Sequence, residues 1–383
     1  MMDTNYMRLA LRLARRAYGR TSPNPMVGAV VVKAGKILGR GWHHRTGEPH
    51  AEIEALREVA KQGGKAKGAT LYVTLEPCCT HGRTPPCTDA IIAAGIKRVV
   101  IGATDPNPKH AGRGFAILQG AGIVVIHGVL GEECTQLNEA FNHWIVRGTP
   151  MVTVKAAMTL DGKIATASGE SKWISGERAR AYGMKLRQGS DAILVGINTV
   201  LADDPSLTVR TGGVAAEGHR PALRGQGLRR IILDSLARTP LTAKLVTDEF
   251  TAQTTIVVSG EAPKKRVAAL AKRVTVLVAP VAKRASSATR HSPLNLHWLL
   301  KHLGKSGVTS LLVEGGGEVN ASFLLGGLAQ RVAFFYAPKI LGGRDSRKAV
   351  AGDGVQRLSE VIALTDLRWQ QLGPDLLLTA RVG

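Results

Sequence analysis

Two stretches decide the fold of the first part of this chain: GEPHAE at residues 47–52 and EPCCTHGRTPPC at residues 76–87. They supply one imidazole, on His50, two well-separated thiols, on Cys78 and Cys87, and the nearby carboxylate of Glu52. Zinc prefers imidazole and thiolate ligands, and three protein ligands leave its fourth position open to a water molecule whose pKa falls to about 7. In zinc-dependent deaminases a glutamate that is not a ligand carries the proton. The sequence therefore predicts zinc on the histidine and the two cysteines, with Glu52 as the catalytic proton carrier.

Neighbouring residues offer alternative ligands. Cys79 and His81 lie in the same turn-rich segment and compete with the predicted set. Side chains of adjacent residues point in different directions in most backbones, so Cys78 and Cys79 are not expected to bind the same ion. We expect Cys79 to be the spare thiol. Ordinary roles are expected for three further residues: His43, His44 and Cys134.

The pattern around these stretches predicts alternating helices and strands. A hairpin is expected around the turn at residues 33–36. Helices are predicted at residues 3–19, with Asp3 as the N-cap, at 49–62, at 86–94 and around Phe115, and strands at residues 26–32, 70–75, 98–103 and 123–129. Such alternation is typical of a largely parallel sheet with helices on both faces. His50 and Cys87 then begin helices just past strand ends, where α/β folds bind ligands and where a helix N-terminus favours thiolate.

A second domain is predicted after residue 148. The segment RGTP at residues 147–150 interrupts the pattern, so the expected domains are residues 1–148 and 149–383. In the second domain, LLVEGGG at residues 311–317 predicts a strand, a glycine turn and a helix start whose free N–H groups suit a phosphate. It is not the usual dinucleotide fingerprint, because no acidic residue follows about 20 residues later. The alternative is that the glycines only let a helix lie close to a strand. A final hairpin is predicted around Gly373-Pro374.

The amino-acid composition argues against a membrane protein, a secreted protein and a nucleic-acid-binding protein. No stretch approaches the roughly 20 apolar residues of a membrane helix, and the arginine-rich first 20 residues do not resemble a secretory signal. Four cysteines, three of them within ten residues, favour metal binding in a reducing cytoplasm over disulfides. The net charge of +22 is spread over both halves, and its densest basic stretches lack aromatic residues that would stack on bases. The charge is therefore interpreted as a generally basic surface, which would also attract small phosphorylated substrates, and nucleic acid is not an expected partner.

With these residues in view, the chain resembles the bifunctional riboflavin-biosynthesis deaminase/reductases of bacteria over essentially its full length. The matching motifs are TSPNPMVGA at residues 21–29, GEPHAE at 47–52, and EPC and GRTPPC within 76–87. The last is the most specific, because tRNA and cytidine deaminases have Cys-x-x-Cys, whereas eight residues separate Cys78 from Cys87. The resemblance implies an N-terminal cytidine-deaminase-like three-layer αβα domain and a C-terminal dihydrofolate-reductase-like α/β domain.

The resemblance implies two substrate contacts in the first domain and leaves a third open. In the family, the loop between the cysteines and an asparagine help to hold the pyrimidine, so Asn24 and Arg83 are the expected substrate-binding residues. This sequence has Cys79-Thr80 where a Ser-His pair usually follows the first cysteine. That histidine is a substrate contact in the family, and its role here either falls to His81 or is absent.

The resemblance also implies binding residues for NADPH and substrate in the second domain. The expected cofactor-binding residues are Ala157, Trp173, Thr199, Asp203, Ser235, Gly316, Gly317, Glu318, Val319, Asn320, Ala321 and Ser322. The expected substrate-binding residues are Ser171, Arg187, Leu207, Arg210 and Glu314. The planar forks of the two arginines suit a sugar phosphate, with ordinary surface charge as the alternative. Asp203 is a candidate for assisting proton transfer.

The implied activity has two steps on the riboflavin pathway. The first is zinc-dependent hydrolytic deamination of 2,5-diamino-6-(5-phosphoribosylamino)pyrimidin-4-one, and the second is NADPH-dependent reduction of the ribosyl group to give 5-amino-6-(5-phosphoribitylamino)uracil. A homo-oligomer is expected, as is common for such enzymes. Two alternatives remain open at this point: an RNA-binding or RNA-editing deaminase, and a protein whose second domain only binds or scaffolds.

Overall fold

The computed structural model describes residues 2–80, 85–108, 110–209, 227–280 and 294–383. The chain divides into two compact units, Met1–Gly148 and Thr149–Gly383. Each unit has its own sheet and its own buried apolar clusters. Within these ranges, no helix combines the length and apolar character needed to cross a membrane.

The first unit is a five-stranded sheet with helices on both faces. Its strands are β1 (Gly28–Lys33), β2 (Lys36–Trp42), β3 (Thr70–Leu75), β4 (Arg98–Ala103) and β5 (Val124–His127). Its described helices are α1 (Met2–Arg15), α2 (Ala51–Lys61), α3 (Cys87–Ala93), α4 (Arg113–Gly120), α5 (Gly131–Leu137) and α6 (Glu139–Arg147). The strand order is β2-β1-β3-β4-β5, in which β1 is antiparallel to both neighbours and the last three strands are parallel.

The alternation of side chains along β1 explains the three layers. Ala29 and Val31 join the cluster that packs under α2, whereas Val30 and Val32 point to the other face and join the cluster under α1. Glycines let both helices lie close to the sheet. A Cβ atom on Gly41 of β2 would lie 2.2 Å from a backbone oxygen of α2, and one on Gly28 would lie 2.0 Å from a backbone oxygen of α1. The predicted αβα sandwich is confirmed.

Some predicted details of the first unit are wrong. The first helix ends at Arg15, four residues earlier than predicted, and Asp3 lies inside the helix and does not cap it. Its carboxylate accepts hydrogen bonds from Arg98 and Tyr72 across the sheet. Helices α5 and α6 were not predicted. The hairpin is present, because Ala34 and Gly35 both adopt the positive φ angles of a tight two-residue turn.

The second unit contains a larger, mostly parallel sheet. Its strands are β6 (Met151–Thr159), β7 (Lys163–Ala165), β8 (Ala192–Gly196), β9 (Arg229–Leu233), β10 (Thr254–Ser259), β11 (Thr275–Ala279), β12 (Ser310–Val313), β13 (Arg331–Ala337), β14 (Arg347–Lys348), β15 (Leu364–Leu372) and β16 (Asp375–Val382). Its described helices are α7 (Glu177–Gly189), α8 (Ile197–Asp203), α9 (Lys264–Ala271), α10 (Leu296–Lys305) and α11 (Gly317–Leu325).

The nine strands of the main sheet lie in the order β11-β10-β9-β8-β12-β6-β13-β16-β15. The first seven are parallel, and the predicted final hairpin adds β16 and β15 in antiparallel orientation. Along β8, Ile193 and Val195 face the cluster that contains α8 and α9, whereas Leu194 faces the cluster that contains α10 and α11. Helices therefore cover both faces, and the expected α/β architecture is confirmed.

The chain turns at Asp161-Gly162 between β6 and β7, but these two strands do not form a simple hairpin. Strand β7 pairs with β14, and the Asp161 carboxylate accepts hydrogen bonds from the N–H groups of Leu341 and Gly342. The sequence could not show this pairing, because the two partners are about 180 residues apart along the chain.

One buried cation ties three segments of the second unit together. Arg230 of β9 has only 1% of its surface exposed. Its guanidinium donates two hydrogen bonds to the Asp248 carboxylate, at 2.6 and 2.7 Å, one to Thr254 Oγ1 and others to the carbonyl oxygens of Ser206 and Leu245. The pKa of Asp248 is lowered by its hydrogen bond with Arg230.

We therefore predict that Asp248→Asn destabilises the second unit by about 3 kcal/mol at pH 7, because a buried guanidinium is left without its counter-charge. Since the folded pKa of Asp248 lies below its ordinary value of 3.8, its stabilising effect is present above that pH and is lost as the pH falls through the folded value. Urea unfolding of the full chain at pH 7 and pH 3 measures both effects. Equal stability of variant and wild type at pH 7 would contradict the prediction.

Candidate active sites

The first site lies where strand β3 ends and helices α2 and α3 begin. His50 is the residue before α2, Cys87 is the first residue of α3, and Cys78 follows β3 by three residues. His50 Nδ1 lies 3.5 Å from Cys78 Sγ and 3.3 Å from Cys87 Sγ. The three potential ligand atoms all lie within 4.8 Å of one another. One zinc ion at the usual ligand distances of about 2.0–2.3 Å satisfies such separations, so this donor set fits the metal.

The protonation of this cluster also suits a cation. The pKa of Cys78 falls to about 4, mainly because its sulfur accepts a hydrogen bond from Cys87 and further because of His50. The pKa of Cys87 is raised in turn by Cys78 and by burial. Thiolate is the ligand form of cysteine, so a bound divalent cation would favour the deprotonated state of both side chains.

Glu52 lies in the first turn of α2 with 3% of its surface exposed. Burial raises its pKa to about 7, and the charge of Cys78 acts in the same direction. A carboxyl group with this pKa both accepts and donates a proton near neutral pH. Its position beside the ligand cluster therefore suits proton transfer at the metal.

A second glutamate holds the segment that carries the ligand Cys78. The buried Glu76 accepts hydrogen bonds from the N–H groups of Asp105, Gly112 and Gly114, at 2.9–3.1 Å. These bonds tie the end of β3 to the loop after β4. Cys79 turns away from the ligand cluster toward this loop, where its sulfur lies 3.7 Å from a ring nitrogen of His110. The structure thus separates the two adjacent thiols.

The substrate side of this site includes a residue that was not predicted. Asn24 Nδ2 lies 3.2 Å from His43 Nε2, and His43 Nδ1 lies 3.1 Å from the carbonyl oxygen of Pro49. His43 is buried, which lowers its pKa, and its ring meets that of His50 edge to face. It therefore links the expected pyrimidine contact to the start of α2. Arg83 and His81 lie outside the described residues.

The second site lies at the edge of the large sheet where its parallel strands end. Ala157 is near the end of β6, Thr199 follows β8, Ser235 follows β9, and the glycine turn follows β12. Gly315 and Gly317 are required for close approach: a Cβ on Gly315 would lie 2.5 Å from the Val319 side chain, and one on Gly317 would lie 2.3 Å from a backbone oxygen of β14. Most of the expected cofactor residues thus meet at one edge.

The glycine turn itself has room beside it. A Cβ atom on Gly316 would meet only Thr199 Oγ1, at 3.9 Å. Helix α11 begins directly after Gly316, and the first N–H groups of a helix lack partners within the helix and suit a phosphate. Further along, the side chains of Asn320, Ala321 and Ser322 are buried. A cofactor contact in this segment therefore comes from the backbone at its start.

Three charged side chains form a cluster between β6, β12 and α7. Arg187 Nε and Nη2 each donate a 2.8 Å hydrogen bond to the Glu314 carboxylate, and Lys155 Nζ lies 3.6 Å from Glu314 Oε2. Burial alone would raise the pKa of Glu314, but the charges of Lys155 and Arg187 outweigh it and lower the pKa to about 2. The fork of Arg187, expected to hold a phosphate, is thus engaged by Glu314. Lys155 was not predicted.

The remaining expected residues differ in their exposure. The ring of Trp173 is 64% exposed and stacks under the Arg180 guanidinium, whose carbon lies 4.7 Å from the ring centre. Ser171 and Asp203 are half-buried. Leu207 is buried in the apolar cluster beside β8, so only its backbone can meet a ligand. Arg210 lies outside the described residues.

Two family models match the chain. The cytidine and deoxycytidylate deaminase zinc-binding region matches residues 1–103, and the RibD C-terminal domain matches residues 150–378. Together with the ligand cluster and the two folds, these matches define a class of protein: a zinc-binding deaminase joined in one chain to a reductase.

Similar proteins match along the whole chain. The riboflavin biosynthesis protein RibD of Aquifex aeolicus is 44% identical over 377 residues, which cover 98% of each chain, and that of Actinobacillus pleuropneumoniae is 43% identical over 99% of this chain and 95% of its own. Among solved structures, Acinetobacter baumannii RibD superposes with a TM-score of 0.85 at 35% identity, over 100% of this chain and 99% of the other. The chain therefore belongs to the RibD family of bifunctional riboflavin-biosynthesis deaminase/reductases. The comparisons give no support to an RNA-editing deaminase.

We predict that the purified protein holds one zinc ion in its first unit and that Cys87→Ser loses it, because serine offers no thiolate. Cys79→Ser is the matched control, since its sulfur lies outside the ligand cluster. Metal analysis of the three proteins after dialysis measures the content. Loss of zinc from Cys79→Ser, or its retention by Cys87→Ser, would contradict the assigned ligands.

Proposed function

We propose that the protein converts 2,5-diamino-6-(5-phosphoribosylamino)pyrimidin-4-one into 5-amino-6-(5-phosphoribitylamino)uracil, with deamination in residues 1–148 and reduction in residues 149–383. The observation that carries the proposal is the cluster of His50, Cys78 and Cys87 beside buried Glu52 in a RibD-family chain. A Thermotoga maritima structure, 35% identical with a TM-score of 0.80 over 100% of this chain and 99% of its own, is described as a diaminohydroxyphosphoribosylaminopyrimidine deaminase and 5-amino-6-(5-phosphoribosylamino)uracil reductase. We carry that substrate over to this chain.

In the deaminase unit, a zinc ion on His50, Cys78 and Cys87 supplies, when bound, a water molecule of lowered pKa. Glu52 would accept a proton from a water molecule at this site, and the oxygen of that water would replace the 2-amino group on the ring carbon. Glu52 then donates the proton to the amino nitrogen, the carbon–nitrogen bond breaks and ammonia leaves. Its raised pKa of about 7 suits both transfers.

Substrate binding in this unit rests on Asn24 and Arg83 in our proposal. The hydrogen bond with His43 fixes the amide of Asn24, so its remaining hydrogen-bonding groups are presented to the pyrimidine in one orientation. Arg83 would hold the phosphate, because a planar guanidinium forms two parallel bonds to phosphate oxygens. This combination distinguishes a phosphorylated pyrimidine from a free base.

In the reductase unit, we propose that NADPH binds along the edge where the parallel strands end, with its pyrophosphate at the start of α11. The cofactor supplies the hydride for carbon 1 of the opened ribose. Lys155, Arg187 and Glu314 together carry one excess positive charge, which attracts the sugar phosphate. Glu314 holds Lys155 and Arg187 in position, so both side chains are oriented before the substrate binds. Ser171, Leu207 and Arg210 complete the proposed substrate contacts.

We further propose a cytoplasmic homo-oligomer. The four cysteines are all free, as expected in a reducing compartment. Strand β15 forms one edge of the large sheet, and its side chains Leu367 and Trp369 are more than half exposed. An apolar sheet edge of this kind favours cover by another copy of the chain.

We predict that Glu52→Gln slows deamination by about 100- to 10,000-fold, because the amide cannot carry the proton. Zinc content is expected to stay unchanged, as is reduction of the already deaminated intermediate. Mass spectrometry of the products from the diaminopyrimidinone ribosylamino phosphate, with and without NADPH, measures both steps.

Glu54→Gln is the matched control for this substitution, since Glu54 lies on the same helix and pairs with the exposed Arg57. It should deaminate at the wild-type rate. Unimpaired deamination by Glu52→Gln would remove this residue from the mechanism, and a wild-type protein that deaminates without reducing would remove the second unit from the proposed activity.

We predict that Glu314→Gln lowers kcat/KM for the reduction by about 10- to 100-fold, because Arg187 and Lys155 lose the carboxylate that positions them. Oxidation of NADPH with the deaminated intermediate as substrate measures the effect. Deaminase activity in the same preparation should be unchanged, and Glu177→Gln, an exposed glutamate on the same helix as Arg187, is the control. A wild-type rate for Glu314→Gln would contradict the role of the cluster.

A further inference from the structure

Strand β9 ends in a turn whose shape is fixed by one buried carboxylate. Asp234 has no exposed surface. Its Oδ1 accepts a 2.8 Å hydrogen bond from the N–H of Arg238, and its Oδ2 accepts 2.7 Å bonds from both the N–H and the hydroxyl group of Thr239. Both oxygens of the carboxylate are therefore hydrogen-bonded within the protein, and the group is not available to a ligand. It also fixes the backbone from which the Arg238 side chain projects.

The side chain of Arg238 is exposed at this turn. Its Nη2 donates a 3.0 Å hydrogen bond to Oδ1 of Asn198, which lies in the first turn of α8 directly before Thr199. In the part of the chain that the structure describes, Arg238 forms no ion pair. One edge of the guanidinium is thus oriented by a neutral amide, while its charge is not compensated by a carboxylate.

A second arginine supports the same turn. Arg266 of α9 donates hydrogen bonds to the carbonyl oxygens of Ala237, at 2.5 Å, and Thr239, at 3.2 Å. Both acceptors are neutral. With Arg238, Arg266 and the buried Asp234 counted together, the turn carries one excess positive charge. This makes it suited to an anion.

The turn after β9 lies near the glycine turn after β12 at the same edge of the sheet. The space beside Gly316 is bordered by Thr199. The residue before Thr199 in α8 is Asn198, and Asn198 contacts Arg238. The strand order β12-β8-β9 places Arg238 two strands, or about 10 Å, from the glycine turn. It lies on the side opposite to β6, which carries Lys155. A dinucleotide whose pyrophosphate sits at α11 would therefore direct its reactive ring toward β6 and its adenosine toward Arg238.

We propose that Arg238, positioned by Asn198 and Asp234, binds the 2′-phosphate of the cofactor and so selects NADPH over NADH. This inference rests on the proposed use of a nicotinamide dinucleotide by the second unit. In dinucleotide-binding sheets an acidic side chain near a strand end binds the ribose 2′-hydroxyl of NADH, whereas a nearby arginine accommodates the 2′-phosphate of NADPH. Here the acid at the end of β9 is buried and fully bonded, and the arginine four residues later is exposed. An exposed arginine beside a buried acid suits the 2′-phosphate of NADPH and not the 2′-hydroxyl of NADH.

Nucleotide binding to the full-length, zinc-loaded protein tests this role without relying on turnover. Isothermal titration is carried out with NADPH, NADH, 2′,5′-ADP and 5′-ADP. For Arg238→Gln we expect affinity for NADPH and 2′,5′-ADP to fall about 10- to 100-fold, the usual effect of losing hydrogen bonds to a charged group. Affinity for NADH and 5′-ADP should stay within about twofold of wild type. Arg238→Lys, which keeps the charge but not the fork, should show a smaller loss.

Arg229→Gln is the matched control, because Arg229 lies at the opposite end of the same strand, where it bonds to Ser306. It removes the same charge and should leave all four affinities unchanged, which separates a specific contact from the general effect of the positive surface. Thermal unfolding of each variant establishes that the second unit is folded.

The outcomes distinguish this inference from the proposed function. If the wild type binds NADPH and Arg238→Gln binds it equally well, the role of Arg238 is overturned and the reductase assignment stays intact. The same holds if Arg238→Gln loses affinity for NADH and NADPH to the same extent. A wild-type protein that binds neither dinucleotide overturns both. A loss confined to the 2′-phosphorylated nucleotides supports the inference.

Discussion

Parallel strands end at one edge of their sheet, and both sites depend on this constraint. In the first unit, the end of β3 brings Cys78 beside the starts of α2 and α3, which carry His50 and Cys87. In the second unit, β6, β8, β9 and β12 end side by side, so residues that are far apart in the chain lie at one edge of the sheet. Because helix N-termini follow these strand ends, each edge also offers unpaired N–H groups and a partial positive charge to anions.

The chemistry of the deaminase site is linked to packing through a single helix. His50 lies directly before helix α2 and Glu52 lies in its first turn. The helix lies close to the sheet because Gly39 and Gly41 of β2 have no side chains to separate them. The same close approach removes Glu52 from water and raises its pKa to about 7. A larger residue at Gly41 would therefore move a ligand and the proton carrier together. The glycines of β2 therefore affect catalysis without contacting the substrate, because they set the position of α2 and the burial of Glu52.

The sequence alone indicated the metal ligands, the αβα and α/β folds and most strands, since ligand spacing and apolar periodicity are local signals. It did not indicate His43, which follows β2, or Lys155, which lies on β6, because a single polar residue has no distinguishing pattern until its partner is known. Arg187 illustrates the same limit: its fork is engaged by Glu314, 127 positions away. Likewise, Asp3 matched a helix cap locally, but its partner Arg98 lies on β4. Tertiary contacts decided each of these cases.

The same limit applies to the net charge of +22, which the sequence could only describe as dispersed. In the second unit, two groups of charged side chains each consist of one carboxylate and two cations. Arg187 and Lys155 surround Glu314, and Arg238 and Arg266 border the turn fixed by Asp234. In each group a carboxylate orients cations and leaves one positive charge in excess. Orienting a cation in advance lowers the cost of ordering it when an anion binds. In the proposed function, part of the positive charge forms fixed binding positions for the phosphates of small ligands, without a role for nucleic acid or a membrane surface.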